Sequence, residues 1–321
     1  MGYYISEVGY YLPERIIDNE FLATRCGIDM AFLENRVGIK ERHVAADDEP
    51  PSAMACRSAT TLFDTSGIAP HEVDILMVCT QNPDYRLPTT ACLVQDMLGL
   101  KKSCFSFDIN LGCSAFVYAL PIAGNFLQLG MARHALIITV DEYSKIIDFR
   151  DKNTAALFGD AAAATLLSPC EDGFGVIDGI FGTDGSGAPH LILYNSGLKK
   201  DPGKSPYLYM DGREIFRFAV TVVPDSVDQL LARNNIKTGD VRHYVFHQAN
   251  LYMLREIQKR LSLKDYQMVI DMVHYGNTVS ASIPIAYKNL ITASRPSRGD
   301  LVVFCGFGVG LSWGTVLYRC S

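Results

Sequence analysis

Four short apolar runs in the first half of the chain constrain its fold more than any other feature. VDILMVCT (73–80), CFSFDI (104–109), HALIITVD (134–141) and AAAATLLS (161–168) each read as a buried strand. Between the second and third, apolar residues recur with helical spacing and predict a helix from about Ser114 to Leu129. Pro121 falls inside that helix and removes one backbone donor, so a kink is expected there. Strand alternating with helix is the signature of an α/β protein whose sheet is covered by helices. In the second half, FRFAVTVVPDSVDQLLARNNI (216–236) and the amphipathic LYMLREIQKRLSL (251–263) predict helices. RHYVFHQAN (242–250) reads as a strand running into a loop, and DLVVFCGFGVGLSWGTVLY (300–318) as strand, glycine turn, strand. GFGVIDGIFGTDGSGAPH (173–190) is rich in glycine and reads as turns, so the chain is expected to divide near residue 170.

The two parts match in outline. VDILMVCTQNPD corresponds to VRHYVFHQAN, DINLGCSAF to DMVHYGNTVSA (271–281), and FGDAAAATLL to FGVGLSWGTVL. An internal duplication of this kind gives an N-terminal half, 1–170, and a C-terminal half, 171–321. It sets residues 80–84 and 247–250 on equivalent loops, and Cys113 and Asn277 on equivalent turns.

Composition removes several function classes. With 321 residues, 48% of them hydrophobic, the chain has ample material for a large core and no long polar tract. A net charge of -6 argues against nucleic acid as a partner. The nine cysteines are odd in number, mostly set in apolar strings, and form no CxxC pair, which argues against zinc and against a disulfide framework. Free thiols suit a reducing cytosol, and a cytoplasmic location is expected. The early acids of MGYYISEVGYYLPERIIDNE do not form a signal peptide, and no apolar run is long enough to span a membrane.

Three residues carry the chemistry. Cys113 follows Gly112 at the predicted start of a helix, where unpaired N–H groups and the helix dipole lower a thiol pKa. Read locally, it is equally a small buried cysteine, as the other eight are expected to be. His247, in FHQAN, is delivered by a strand to a polar loop; its bland reading is a loop histidine bonded to backbone. Asn277, in YGNTVSASIP, either caps the helix that follows or points an amide donor into a shared site. His274 stands close by, and spacing alone leaves its role open. Together the three suit acyl transfer through a thioester on Cys113, with backbone N–H groups holding the oxyanion and with His and Asn stabilising an enolate. A papain-like Cys–His–Asn hydrolase uses the same residue types, with Asn behind His. The distinction is spatial: in a condensing site Asn277 faces the substrate beside His247.

NRVGIKER (35–42), GCSAF (112–116), FGDAAAA (158–164), FHQAN (246–250) and GNTVSASIP (276–284), in this order and spacing, resemble the β-ketoacyl-[acyl-carrier-protein] synthase III family of thiolase-fold condensing enzymes. The likeness runs over nearly the whole chain. It implies a five-layer α/β/α/β/α fold of two similar halves, a homodimer, and no tightly bound cofactor or metal. The substrates it implies are an acyl-CoA or acyl carrier primer and malonyl-CoA or malonyl-acyl carrier protein. Cys113 is then the acylated nucleophile, while His247 and Asn277 support decarboxylation of the malonyl thioester. The N–H groups of Cys113 and Val309 form the oxyanion hole. Coenzyme A contacts are carried over to Phe32, Arg36, Arg150, Gly212 and Phe216, and carrier docking to Arg217, Lys259 and Arg260. Leu87 takes the place of a residue with which the partner subunit caps the acyl pocket.

Four departures from the family pattern stand out: Phe32 for tryptophan, Tyr252 for arginine, Val309 for glycine and Leu87 for phenylalanine. They leave the pathway open between fatty-acid initiation and a specialised polyketide or quinolone-type route. An acyltransferase that passes the acyl group to a hydroxyl or amine without decarboxylation is the alternative within enzymes. A non-catalytic partner of an active paralog is the alternative outside them.

Overall fold

One residue pair joins the two halves of a nine-stranded sheet. The protein is described here from a computed structural model, over residues 2–171 and 173–321. In chain order the sheet strands are β1 (Gly2–Tyr11), β2 (Ile75–Cys79), β3 (Phe105–Ile109), β4 (Ala135–Asp141), β5 (Ala161–Cys170), β6 (Gly175–Thr183), β7 (Val241–Phe246), β8 (Leu301–Gly308) and β9 (Ser312–Arg319). The main helices are α1 (Pro51–Ser66), α2 (Thr90–Met97), α3 (Ala115–Gln128), α4 (Gly212–Arg233), α5 (Leu251–Arg260) and α6 (Ser282–Ala293).

The first half orders its strands β1-β5-β4-β2-β3, and the second β6-β9-β8-β7. In each half a parallel set meets antiparallel neighbours: β3, β2 and β4 are parallel and β5 and β1 antiparallel, while β7 and β8 are parallel and β9 and β6 antiparallel. The counterpart of β3 shrinks to a bridge between Tyr244 and Met268. The halves touch where Tyr3 pairs with Gly175. Only glycine fits there, because a Cβ on residue 175 would lie 1.7 Å from the Tyr3 carbonyl oxygen and φ is +76°.

Helices α3 and α6 form the middle layer and contact strands of both halves. Helices α1 and α2 cover the outer face of the first half, and α4 packs on the outer face of the second with α5 against it. The result is the five-layer α/β/α/β/α arrangement of the thiolase fold. Helix α3 is apolar nearly all round, as a helix sandwiched between two sheets must be. It runs through Pro121 without ending.

Two strands depart from the sequence reading. Residues 175–183, read as turns, form β6, and the N-terminal segment forms the ten-residue β1. Glycines obscure β6 because its neighbours need their space: a Cβ on Gly182 would lie 2.1 Å from the Trp313 ring.

Candidate active site

The loop after β3 brings Cys113 to the start of α3, and the loop after β7 brings His247 alongside. The turn before α6 supplies Asn277, and the β8–β9 turn supplies Val309. Cys113, His247 and Asn277 are all buried and line one inner cavity of about 60 Å³ together with Phe307 and Gly308. Gly308 permits the approach of its turn: a Cβ there would stand 3.0 Å from the Cys113 sulfur.

The backbone N–H groups of Cys113 and Val309 lie toward the Cys113 sulfur and favour its thiolate. Burial nevertheless pushes the thiol well above its usual range, and the nearby Asp141 carboxylate adds to the effect. The sequence argument weighed a helix start that lowers the pKa against burial, and burial prevails here. Desolvation outweighs the N–H groups and favours the protonated thiol.

The turn that holds Val309 is fastened from behind. Ser312 Oγ donates to the Val309 carbonyl at 2.8 Å and is 2.8 Å from Ser114 Oγ. Ser312 has one proton and gives it to that carbonyl, so Ser114 is the donor in the serine pair. Both serines are buried.

His247 is neutral, pushed down to about 3 by burial, with a backbone contact to Val279 opposing. Its Nδ1 lies 2.7 Å from Ser282 Oγ, and its ring meets Phe307 edge-on. The partner behind His247 is therefore a serine hydroxyl, and Asn277 stands elsewhere. Asn277 Oδ1 accepts from Val279 N–H at 3.0 Å, which leaves Nδ2 as the atom available to the cavity. This bond closes a local turn, and α6 itself starts five residues later, so the amide does not cap the helix. Asn277 is pinned through its backbone as well, donating to Leu157 O at 2.9 Å and accepting from Gly159 N at 3.1 Å. Val279 sits between the two groups at φ 51°, a strained conformation for a β-branched residue. Asp141 ties the loops together, accepting from the N–H of Gln81 at 2.9 Å and from Ser280.

A tunnel leads outward. The inner cavity shares Leu157, Met210, Asn250 and Met253 with a cavity of about 450 Å³ that Phe32, Arg36, Gly212 and Phe216 also line. Arg36 lies over the Tyr252 ring at 4.4 Å, and Tyr252 stacks on Phe216 with ring centroids 5.2 Å apart. Arg150 is not brought into this group: it is exposed and forks onto Asp148. Lys152 and Arg213 line the cavity instead, and the sequence reading missed both. Arg217 is exposed and paired with Glu214, while Lys259 and Arg260 are exposed on the last turn of α5. Leu87 is 86% exposed and far from buried in a single chain. His274 is exposed and pairs with Glu41 at 3.0 Å, outside the site. Ser282 and Ser312 were also missed, although Ser282 sits inside GNTVSASIP, one of the strings that carried the resemblance. Among the described residues no group of three His, Cys, Asp or Glu is placed to hold a metal ion.

Known proteins resemble this chain over nearly their full length. Sequence models of 3-oxoacyl-[acyl-carrier-protein] synthase III match residues 107–185, and of its C-terminal part residues 231–320. A β-ketoacyl-[acyl-carrier-protein] synthase III from Sulfurovum sp. (strain NBC37-1) is 36% identical, with 97% of this chain and 93% of the relative aligned. The chain belongs to the β-ketoacyl-[acyl-carrier-protein] synthase III family. A solved 3-oxoacyl-(acyl-carrier-protein) synthase III superposes with a TM-score of 0.96 at 33% identity, covering 99% of this chain and all of the other. The priming β-ketosynthase of the R1128 polyketide pathway superposes with a TM-score of 0.92 at 29% identity, covering 99% of this chain and 96% of that one. A β-ketoacyl-[acyl-carrier-protein] synthase III of this type is a condensing enzyme, and no helix among the described residues is long and apolar enough to cross a membrane.

Proposed function

We propose that this synthase joins an acyl primer to a malonyl thioester by decarboxylative condensation. One observation carries the reading: Cys113, His247 and Asn277 line a single cavity, and the group behind His247 is Ser282. That excludes the arrangement in which Asn orients a hydrolytic His.

The Cys113 sulfur attacks the primer carbonyl, a C–S bond forms, and the carrier leaves as a thiol with the cysteine proton. The N–H groups of Cys113 and Val309 receive the oxyanion. The malonyl thioester then places its carbonyl oxygen between His247 Nε2 and Asn277 Nδ2. Ser282 Oγ donates to the Val279 carbonyl at 2.9 Å; for Nε2 to donate, that hydroxyl turns its proton to Nδ1 when the malonyl thioester binds, which leaves Nε2 with the only ring proton of the neutral imidazole. The C–C bond to the carboxylate breaks, carbon dioxide leaves, and the enolate attacks the acyl-cysteine. Collapse of the tetrahedral intermediate expels the Cys113 thiolate and releases a 3-oxoacyl thioester.

The halves 1–170 and 171–321 supply the nucleophile and the His–Asn pair respectively. The tunnel past Phe32, Arg36, Lys152, Gly212 and Phe216 suits a pantetheine arm, and the exposed Arg217, Lys259 and Arg260 suit an acidic carrier. The free edge of β3, with Phe105 53% exposed, suits a homodimer in which Leu87 reaches the partner's acyl pocket. The setting is cytoplasmic, in fatty-acid initiation or a specialised polyketide-type route.

Intact-protein mass spectrometry tests the reading. An acyl adduct absent from Cys113→Ser, and discharged only when a malonyl donor is added, is the expected result. An adduct that persists with malonyl donors but passes to a hydroxyl or amine refutes condensation.

A further inference from the structure

The inner cavity adjoins another, of about 310 Å³, through Tyr143 and Leu191, which line both. Its wall nearest the sulfur is polar. The buried Tyr143 hydroxyl donates to Gln81 Oε1 at 2.8 Å. The same oxygen packs on Gly112, the residue before Cys113: a Cβ there would lie 2.4 Å from it and 3.0 Å from Val309 Cγ1. Gln81 and Val309 thus pack on the residue before the nucleophile, and Tyr143 bonds to the same Gln81 oxygen. Among the described residues Gln81 Nε2 has no hydrogen-bond partner, and the Tyr143 oxygen keeps lone pairs to offer. The reaction described above uses neither group.

We infer that the primer is a short hydroxyacyl thioester, with its hydroxyl beyond the α-carbon. The inference rests on the acyl-cysteine reading. A plain alkyl chain would cover the Gln81 amide and strip water from its two N–H donors without replacing it. A hydroxyl on the third carbon accepts from Gln81 Nε2 and donates to the Tyr143 oxygen. A site with polar groups placed for such a bond rejects the analogue that lacks it. An acidic primer is disfavoured, because among the described residues no lysine or arginine lines this cavity and Asp141 acts electrostatically on both Cys113 and Tyr143.

The test compares each enantiomer of 3-hydroxybutyryl-CoA with isovaleryl-CoA, which has the same branched shape with a methyl in place of the hydroxyl. Acetyl-CoA is included, and the rate of adduct formation on the full-length protein is followed by intact mass spectrometry. One 3-hydroxybutyryl enantiomer is expected to acylate the protein at least tenfold faster than isovaleryl-CoA. Gln81→Leu removes that preference, and Tyr143→Phe, which keeps the ring, narrows it. Isovaleryl-CoA reacting as fast as both enantiomers overturns the inference while the acyl-cysteine reading stands. No adduct from any of the thioesters overturns that reading and this inference with it. A hydroxyl preference that survives in both variants overturns the assignment to Gln81 and Tyr143.

Discussion

Ser312→Ala is the substitution that best probes how the oxyanion site is held. In the wild type, Ser114 donates to Ser312, and Ser312 to the Val309 carbonyl, both at 2.8 Å. The change removes two buried hydrogen bonds, leaving the carbonyl without its donor and Ser114 without its acceptor. At about 1 kcal/mol for each bond, and somewhat more for stranded groups, stability falls by about 2–3 kcal/mol. The kinetic effect follows from Val309, whose backbone turns more freely once its carbonyl is released. Complete loss of an oxyanion donor costs about 100–1,000-fold in rate, so a loosened one is expected to slow acylation by about 10–100-fold. Rapid-quench mass spectrometry with an acyl-CoA measures that step. Uncoupled decarboxylation of malonyl-CoA, which the proposed mechanism assigns to His247 and Asn277, provides the internal control and should hold near the wild-type rate. Ser312→Thr, which keeps the hydroxyl, should restore acylation. Wild-type acylation in Ser312→Ala alongside a lowered Tm would refute the argument and leave the serine pair a purely structural contact.

Asn277→Ala and His247→Ala are expected to spare acylation while slowing malonyl decarboxylation by about 100-fold, on the scale of a lost electrostatic donor; equal loss of both steps would speak for a base role in acylation. Gly159→Ala would set a Cβ 2.1 Å from the Tyr275 carbonyl oxygen, two residues from Asn277. Condensation should fall at least tenfold in that variant with acylation largely kept, as paired single-turnover assays can show. Glu142 is pushed up to about 8, chiefly by burial, and its Oε1 has no partner among the described residues. The folded state holds that proton more tightly than the unfolded chain. The group's contribution to stability is therefore complete below about pH 4.5, the ordinary glutamate range, and lost as pH rises through about 8. Glu142→Gln should flatten the slope of Tm against pH between 5 and 8, and an unchanged slope would refute the assignment. Tyr252→Ala removes the platform between Arg36 and Phe216; a raised KM for acyl-CoA with unchanged kcat is expected, and an unchanged KM would argue that the stack does not meet the substrate.

Legibility in the sequence followed burial. The runs that became β2, β4 and β5 are apolar on both faces because helices cover both, so they stood out without any alignment. Strand β6 was hidden because Gly179 and Gly182 leave room for Phe181 and Trp313, a packing need that the string itself cannot display. The proposed Cys–His–Asn triplet was readable because each member sits at a strand or helix end beside a glycine or polar loop. Its supporting atoms were not: Ser282 and Ser312 matter through contacts 35 and 198 residues away. Lys152 opens a short helix, Lys152–Ala155, two residues beyond Arg150 and lines the outer cavity, a placement that the string itself does not display. Burial prevails over the helix start at the thiol because helix-end effects are local, whereas desolvation depends on everything packed around the sulfur.

Helices α3 and α6 lie between the two sheets and touch both. The reactive sulfur and the His–Asn pair hang on the N-terminal ends of these two rods or on loops directly beside them. They therefore belong to the part of the molecule that opens last, not to a rim that frays early. On heating, activity should disappear together with the global transition and not ahead of it. Amide protons around residues 115–128 and 282–293 should exchange only by whole-molecule unfolding, which makes the catalytic capacity of this synthase a direct gauge of its folded fraction.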